Sequence, residues 1–215
     1  MKYTDFLYDG QRVGGTRGRN SAAFPVSFAV RKLTFDEIRA RRLDDKKAPQ
    51  IPRVPLCAVL DSVRSLYNVG SVFRTADALW MQELILTGFT PHPPRREIEK
   101  TALGATKTVP WRYVADPVQA LHTLRTEGYE LWAVELTTDS VPLSSITSLP
   151  GRVALVFGNE VTGIAPQVLA ACDRAVDIPM HGTKHSLNVA VAFGVACYHV
   201  STQMRQTLNT TRTPL

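Results

Sequence analysis

Five short apolar runs restrict the fold of this 215-residue chain more than any other feature of its sequence. The runs cover residues 56–60, 84–86, 131–134, 153–157 and 175–178. Most of them place apolar side chains at successive rather than alternate positions, which is typical of strands buried on both faces of a sheet. They therefore predict a parallel sheet that is covered on both sides.

Helical patterns separate these runs. After the first run, five apolar residues recur at helical spacing and would share one face: Val72, Phe73, Ala76, Leu79 and Trp80. Residues 117–125 and 166–171 each begin with proline, which is favoured in the first turn of a helix. This alternation predicts an α/β fold with a mostly parallel sheet and helices on both faces.

The last predicted helix, residues 186–204, has an unusual composition. One stripe holds Leu187, Ala190, Val191, Gly194 and Tyr198, and the opposite side holds Val189, Phe193, Ala196 and Val200. A helix that is apolar on opposite sides needs cover on both, here from its own sheet and from a second copy of the chain. We therefore expect a homodimer. A central helix in a larger core is the alternative.

The net charge of +6 lies entirely in the first quarter of the chain. Residues 1–54 hold 12 of the 25 Lys and Arg but only 6 of the 19 Asp and Glu, so the remainder is neutral. We expect a basic N-terminal extension and linker at 1–53, a globular domain at 54–203 and a tail at 204–215. A basic extension indicates a polyanionic partner such as nucleic acid, with a solvated tail as the alternative.

Within this extension, residues 10–27 predict an irregular arm rich in Gly, Arg and Ser. Thr34 and Glu37 fit a capping box that begins a short helix ending near residue 43. Residues 44–53 contain two prolines and predict a linker.

The sequence also limits the compartment and the kind of site. No apolar run approaches the roughly 18 residues that a transmembrane helix needs, and the N-terminus lacks the apolar core of a secretory signal. Cys57, Cys172 and Cys197 lie in apolar segments, which fits reduced thiols in the cytosol. We expect a cytoplasmic protein without a metal site, because His181 and His185 lack Cys or carboxylate partners.

Three polar clusters stand beside the apolar runs, and the first is Asn68-Val-Gly-Ser-Val-Phe-Arg74. Asn68 is a good helix N-cap, and Gly70 would leave amides of the first turn open to an anion such as an RNA phosphate. Arg74, in the expected second turn, adds a guanidinium suited to phosphate oxygens. The alternative is a structural cap followed by an ordinary exposed arginine.

The second cluster, Gly158-Asn-Glu-Val-Thr-Gly163, follows a strand at the sheet edge where ligands bind. Its glycines allow tight turning, and Glu160 would lie in a cleft. The third cluster spans residues 178–188, with Ser186 as a candidate helix cap. Asn188 would be costly to bury unpaired, so we expect it to bind backbone, cofactor or Glu160.

In order and spacing, these clusters resemble the motifs of the SpoU/TrmH family of SPOUT RNA 2'-O-methyltransferases. The chain contains Asn-Val-Gly-x-x-x-Arg-Thr-Ala, then Phe-Gly-Asn-Glu-x-x-Gly, then Ile-Pro-Met-x-Gly-x-x-x-Ser-Leu-Asn-Val. The resemblance covers residues 54–200. It implies S-adenosylmethionine (AdoMet) as methyl donor, tRNA or rRNA as substrate, a homodimer and a C-terminal trefoil knot.

The resemblance also implies roles for individual residues. Contacts to the cofactor are implied for Gly158, Ile178, Met180 and Leu187. Supporting polar groups are implied at Asn68, Glu160, Ser186 and Asn188, and Arg74 is implied as the principal catalytic residue. Because a guanidinium stays protonated in proteins, we expect Arg74 to hold phosphate and stabilise the developing alkoxide. The proton would pass to RNA phosphate, water or a neighbour such as His185.

Trp80 and Val161 stand where many relatives have glycine, so we expect a bulkier helix exit and a bulkier second loop. Two other functions stay open: methylation of a base nitrogen, as in other SPOUT branches, and RNA binding without catalysis. A Rossmann dehydrogenase is excluded because no Gly-x-Gly-x-x-Gly follows the first strand.

Overall fold

The computed structural model describes residues 31–42 and 48–210, with the side chains of all of them except 49 and 207–210. The arm predicted at 10–27 and the first part of the linker predicted at 44–53 lie outside the described residues. The first helix ends at Ala40, before the end predicted near residue 43. The chain divides into two compact units, Met1–Pro52 and Arg53–Leu215.

The described part of the first unit contains helix α1, Phe35–Ala40, and a 3-10 turn at Ala48–Gln50. The predicted capping box is confirmed: the Glu37 amide donates to Thr34 Oγ1 (3.3 Å), and the Thr34 amide donates to the Glu37 carboxylate (2.7 Å). A hydrogen bond from Arg31 to the same carboxylate lowers the pKa of Glu37 to about 2.

The second unit is built on a seven-stranded sheet in which all neighbouring strands of the described residues pair in parallel, with the order β3-β2-β1-β6-β4-β7-β5. The strands are β1 Val54–Asp61, β2 Met81–Thr87, β3 Trp111–Val114, β4 Glu130–Val134, β5 Val141–Pro142, β6 Val153–Phe157 and β7 Arg174–Asp177. The predicted parallel sheet is confirmed. The trefoil knot stays a prediction.

Helices cover both faces of this sheet, as expected. They are α2 Leu66–Ala78, α3 Arg96–Ala102, α4 Pro117–Thr126, α5 Pro166–Ala170 and α6 Val189–Thr210. In β1, Leu56 and Leu60 belong to the core cluster formed with α2, α3 and α6, whereas Cys57 and Val59 belong to the cluster formed with α4 and α5. The apolar runs are therefore continuous because successive side chains enter two different cores.

Several predicted boundaries were wrong. The cap of α2 is Ser65, whose Oγ accepts from the Asn68 amide (3.3 Å), so Asn68 lies inside the first turn and Arg74 in the third. Leu79 and Trp80 lie beyond the end of α2. The last helix begins at Val189 rather than residue 186, and it continues to Thr210 rather than ending at 204.

Three elements had no sequence prediction: β3, β5 and α3. The side chains of β3 are exposed or only half-buried, and β5 is a two-residue exposed strand. Neither strand therefore contains the run of successive apolar residues by which the other strands were predicted. In the described part of the chain, no helix has both the length and the apolar character needed to cross a membrane.

Gly70 lets α2 and α3 approach each other closely, so it does not leave first-turn amides open as the sequence suggested. It is fully buried, and a Cβ at this position would meet the Ile98 carbonyl and Thr101 Oγ1 of α3. The carbonyl belongs to helical backbone and cannot rotate away. The glycine is therefore required by the packing of two helices.

We expect Gly70→Ala to lower the free energy of unfolding by about 1–3 kcal/mol, the usual cost of overpacking a core. Urea denaturation followed by circular dichroism measures the change. Gly151→Ala is the matched control, because a Cβ at Gly151 has no atom within 4 Å. Equal stability of the two variants would contradict the close approach of α2 and α3.

Candidate active site

The loops that follow β4, β6 and β7 enclose a cavity of about 730 Å³ at the carboxyl edge of the sheet. It is lined by residues 134–136, 157–161, 163, 177–180, 184–189 and 192. Ligands bind at this edge in open α/β folds, and small-molecule sites measure roughly 300–1,000 Å³. Both position and size therefore suit a cofactor.

All four residues predicted to contact a cofactor line this cavity: Gly158, Ile178, Met180 and Leu187. They come from segments about 20 residues or more apart in sequence, the loop after β6 and the loop after β7. Ile178, Met180 and Leu187 give the wall an apolar portion, while Gly158 contributes backbone. Such a mixture of apolar wall and a few polar groups is typical of cofactor sites.

The loop after β6 closes as a tight turn. The Asn159 amide donates to the Gly163 carbonyl (3.0 Å), and the Gly163 amide donates to the Asn159 carbonyl (2.9 Å). A Cβ at Gly158 would meet the backbone of Gly163 and Ile164, so the turn requires glycine at that position. Gly163 adopts a φ of 69°, which also favours glycine.

Asn159 organises this turn, although the sequence alone assigned it no role. Its Oδ1 accepts from the amides of Val161 (2.8 Å) and Thr162 (3.2 Å), and its Nδ2 donates to the Ser62 carbonyl (2.7 Å). The side chain is therefore satisfied on both sides although it is buried. It joins the turn carrying Glu160 to the loop after β1, and its place in the Gly-Asn-Glu motif was the available signal.

Glu160 binds the start of α2. Its carboxylate accepts from the amides of Arg64 (2.8 Å) and Ser65 (3.1 Å), and from the Asn68 side chain (3.0 Å). An anion is favourable at this end of a helix, where backbone amides lack helical partners. The start of α2 thus does bind an anion, the chain's own carboxylate, whereas the RNA phosphate expected at this end stays a prediction.

The pKa of Glu160 lies below its ordinary value of 4.5. Partial burial of the carboxylate acts in the opposite direction and raises the pKa. Hydrogen bonds from the Arg64 and Ser65 amides and from Asn68 outweigh it, because each of them stabilises the charged form.

A chain of side-chain hydrogen bonds joins the third cluster to the first. Asn188 Nδ2 donates to Asn68 Oδ1 (3.2 Å), and Asn68 Nδ2 donates to Glu160 (3.0 Å). Asn188 Oδ1 accepts from the Ala190 amide (2.9 Å), so Asn188, not Ser186, caps α6. The expected partners of Asn188 are thus partly correct: it binds backbone, and it reaches Glu160 through Asn68.

Ser186 and His185 both line the cavity, and both are exposed. Ser186 is therefore free of a capping role and faces the ligand space. Within residues 31–42 and 48–210, no group of three or more His, Cys, Asp or Glu is close enough together to hold a metal ion.

Two carboxylates of the cavity were missed by the sequence reasoning. Glu135, directly after β4, accepts from the Ile164 amide (3.1 Å) and lies against Gly163. Asp177, the last residue of β7, also lines the cavity. A carboxylate at the end of a predicted parallel strand was the signal that pointed to both.

Arg74 does not line the cavity. It is an exposed residue of α2, six positions after Asn68 and therefore about 9 Å farther along the helix axis. Among the described residues it has no hydrogen-bond or ion-pair partner. Eight of the nine predicted site residues thus line the cavity or bond directly to a residue that does, and Arg74 is the exception.

Residues 55–198 match the SpoU rRNA Methylase family. The chain belongs to this family. Curated 23S rRNA (guanosine-2'-O-)-methyltransferases named RlmB are similar to it. That of Vibrio parahaemolyticus is 32% identical over 149 residues, covering 69% of this chain and 60% of the relative. That of Ralstonia nicotianae is 30% identical over 198 residues, covering 91% of this chain and 75% of the relative.

Solved structures of the SpoU family superpose on the chain. A TrmH/SpoU tRNA modifying enzyme from A. aeolicus has a TM-score of 0.68 at 27% identity, covering 79% of this chain and 88% of that one. An AdoMet-bound rRNA methyltransferase from Sinorhizobium meliloti has a TM-score of 0.65 at 28% identity, covering 75% of this chain and 60% of that one. The chain thus spans about 60% of the length of the first curated RlmB relatives that it matches.

The structure places both of the bulky residues singled out in the sequence, Trp80 and Val161. Trp80 follows α2 with a φ of 52°, and the Arg53 guanidinium lies 3.8 Å from the centre of its ring. Val161 is exposed and lines the cavity. The left-handed conformation at Trp80 is one that favours glycine, so the tryptophan is held there at a conformational cost.

We expect Glu160→Gln to be less stable than the native chain at neutral pH, because the amide cannot replace a charged acceptor at the start of α2. Since folding lowers the pKa of Glu160, its contribution is complete above pH 4.5 and is lost as the pH falls through the lowered value. Urea denaturation of both proteins across this pH range measures the difference.

Glu97→Gln is the matched control, because Glu97 is an exposed glutamate in the first turn of α3. Among the described residues it has no hydrogen-bond partner. A stability difference for Glu160→Gln that is independent of pH would contradict the role of its charge.

Proposed function

We propose that the chain is an AdoMet-dependent methyltransferase that adds a methyl group to a ribose 2'-hydroxyl of tRNA or rRNA. The main support is that the Gly-Asn-Glu turn and the loop at 178–188 share a single cavity at the carboxyl edge of the sheet. The names of the relatives agree, since they include guanosine-2'-O-methyltransferases of 23S rRNA and a tRNA modifying enzyme.

AdoMet fits the residues of the cavity. Gly158 lets backbone approach a ligand where a Cβ would collide with the turn itself. Ile178, Met180 and Leu187 would hold the apolar portions of the cofactor, and Glu135 supplies a carboxylate for one of its polar groups. When bound, AdoMet provides a sulfonium-activated methyl group that a ribose oxygen attacks in line.

The protein must then align that oxygen and accommodate one proton. Asn188, Asn68 and Glu160 form the polar boundary between the cavity and α2. We propose that this connection positions α2, and that Ser186 offers a hydroxyl to the substrate. Residues 54–203 would form the catalytic domain.

Arg74 would contact the RNA rather than the cofactor. Its guanidinium is exposed and free of partners among the described residues, so its donors are available to a phosphate. We propose that Arg74 holds a phosphate beside the target ribose and stabilises the developing alkoxide. The proton would leave to RNA phosphate, water or His185, which lines the cavity.

We also propose that the chain acts as a homodimer through α6. Val189, Phe193 and Val200 are buried in the chain, whereas Val191, Val195 and Tyr198 form an exposed stripe on the other side of the helix. An exposed apolar stripe is typical of an interface. The basic extension at 1–53 would add phosphate contacts, and an RNA substrate with reduced thiols suits the cytoplasm.

We expect Gly158→Ala to abolish or greatly weaken AdoMet binding, because the added methyl group would push the backbone at Gly163 and Ile164 out of the turn. Isothermal titration calorimetry measures the affinity. Gly182→Ala is the control in the loop after β7, because a Cβ at Gly182 meets no atom within 4 Å. Unchanged affinity in Gly158→Ala would contradict the assignment of this turn to the cofactor.

Mapping of ribose methyl groups across total RNA tests the function directly. We expect cells that lack the gene to lose a methyl group at a site whose phosphodiester bond then becomes sensitive to alkali. The native gene should restore it and Arg74→Lys should not, because a lysine lacks the planar fork that binds phosphate in two places. The purified Arg74→Lys protein should still bind AdoMet normally.

Other outcomes would identify the alternatives. A lost methyl group on a base nitrogen, with an unchanged alkali pattern, would indicate a base methyltransferase. No change in any RNA, together with no AdoMet binding, would indicate an RNA-binding protein without catalysis. A near-normal rate for Arg74→Lys at saturating RNA would exclude a requirement for the guanidinium.

A further inference from the structure

The loop that follows β2 carries exposed aromatic and basic side chains at the same edge of the sheet as the cavity. With the neighbouring strand β3 it forms what we call the aromatic loop surface: Phe89, His92, Arg95, Arg96 and Tyr113. Phe89 is 66% exposed and Tyr113 is 43% exposed. None of these residues belongs to the site described above.

Two of the three aromatic rings of this surface, those of His92 and Tyr113, are held in place beside the loop that carries Phe89. The His92 ring centre lies 4.9 Å from that of Tyr113, and the Tyr113 hydroxyl donates to the Gly88 carbonyl (2.7 Å). The Gly88 amide donates in turn to the Ala115 carbonyl (3.2 Å). A ring already fixed by such contacts loses little conformational freedom when a ligand stacks on it.

Hydrogen bonds connect this surface to the end of β1 and to the loop between β1 and α2. Thr90, which follows Phe89, accepts through Oγ1 from the Val63 amide (3.0 Å) and donates to the Leu60 carbonyl (2.9 Å). The next amide after Val63 is that of Arg64, which Glu160 binds. The surface and the start of α2 are therefore attached to the same short loop.

The charge of the surface favours an anion. Arg95 and Arg96 are exposed, and within the described part of the chain neither side chain has a hydrogen-bond or ion-pair partner. Glu97 is the nearest acidic residue in sequence. Exposed guanidinium groups beside exposed rings match the two features of a nucleic-acid strand, its phosphates and its stacked bases.

We infer that the aromatic loop surface binds a single-stranded segment of the RNA substrate next to the target ribose. Phe89 stacks on a base, and Arg95 and Arg96 contact flanking phosphates. The inference rests on the proposed function, because it names where that RNA is held. Stacking on aromatic side chains requires unpaired bases, so the target nucleotide lies in a loop, bulge or unpaired end.

The test measures binding of a short fluorescein-labelled single-stranded RNA, and of the duplex with its complement, to the full chain. We expect Phe89→Ala to weaken single-strand binding by about 5- to 100-fold, the usual loss of one stacked base. Phe89→Trp should retain the affinity, whereas Phe89→Leu should not, because leucine is apolar but cannot stack. Binding of AdoMet should be the same in all of these proteins.

The contribution of Arg95 and Arg96 is tested separately, through the salt dependence of RNA binding. Arg95→Gln and Arg96→Gln should each lower the slope of log affinity against log salt by about 0.7, the value for one phosphate contact on a single strand. Phe89→Ala should leave this slope unchanged. Leu103→Ala is the matched control for the aromatic change, because Leu103 is also 66% exposed but lies at the opposite end of α3.

Three results would overturn the inference: native affinity in Phe89→Ala, equal affinity in Phe89→Leu and Phe89→Trp, or preference of the native chain for the duplex. Loss of dimerisation in Phe89→Ala, seen by analytical ultracentrifugation, would instead make the surface an interface between two copies. If the native chain methylates no RNA, the proposed function fails. If it methylates RNA and Phe89→Ala does so equally well at subsaturating RNA, only this inference fails.

Discussion

The carboxylate of Glu160 connects the two halves of the site. It lies in the loop after β6, yet its hydrogen bonds go to the backbone amides that precede and begin α2. A negative charge at this position satisfies amides that the helix itself cannot pair, and it also fixes where the helix starts. The start of α2 is therefore held by the turn that carries Glu160.

The strand order explains how a carboxylate in the loop after β6 can reach the start of α2. In the sheet β6 lies directly beside β1, although about 90 residues separate them in sequence. Their loops therefore leave the same edge side by side, and Asn159 joins them by donating to the Ser62 carbonyl. The turn at Gly158 can then serve two purposes, because its backbone lines the cavity while its next two side chains hold the neighbouring loop.

The central part of this fold is predictable from sequence because its strands are buried on both faces. Val153–Phe157 is bounded as predicted, since every side chain enters a core and no polar residue interrupts the run. The edge strands β3 and β5 escape prediction because partial exposure removes that signal. The same limit applies to helix ends: Ser65 and Asn188 act as caps through contacts that sequence spacing does not contain.

In the site too, some features could be predicted from the sequence and others could not. Most cavity residues of the loops after β6 and β7 stand in short motifs and could be identified together, whereas Glu135, outside those motifs, was missed. The connection between Asn188, Asn68 and Glu160 spans 120 positions and appears only when the chain is folded. Gly158, Ile178 and Leu187 line the cavity, whereas Arg74 and Phe89 are exposed residues outside its lining. Under the proposed function, a methyl donor in the cavity and an RNA strand outside it would meet near Asn68 and Asn188, whose side-chain amides can both donate and accept hydrogen bonds.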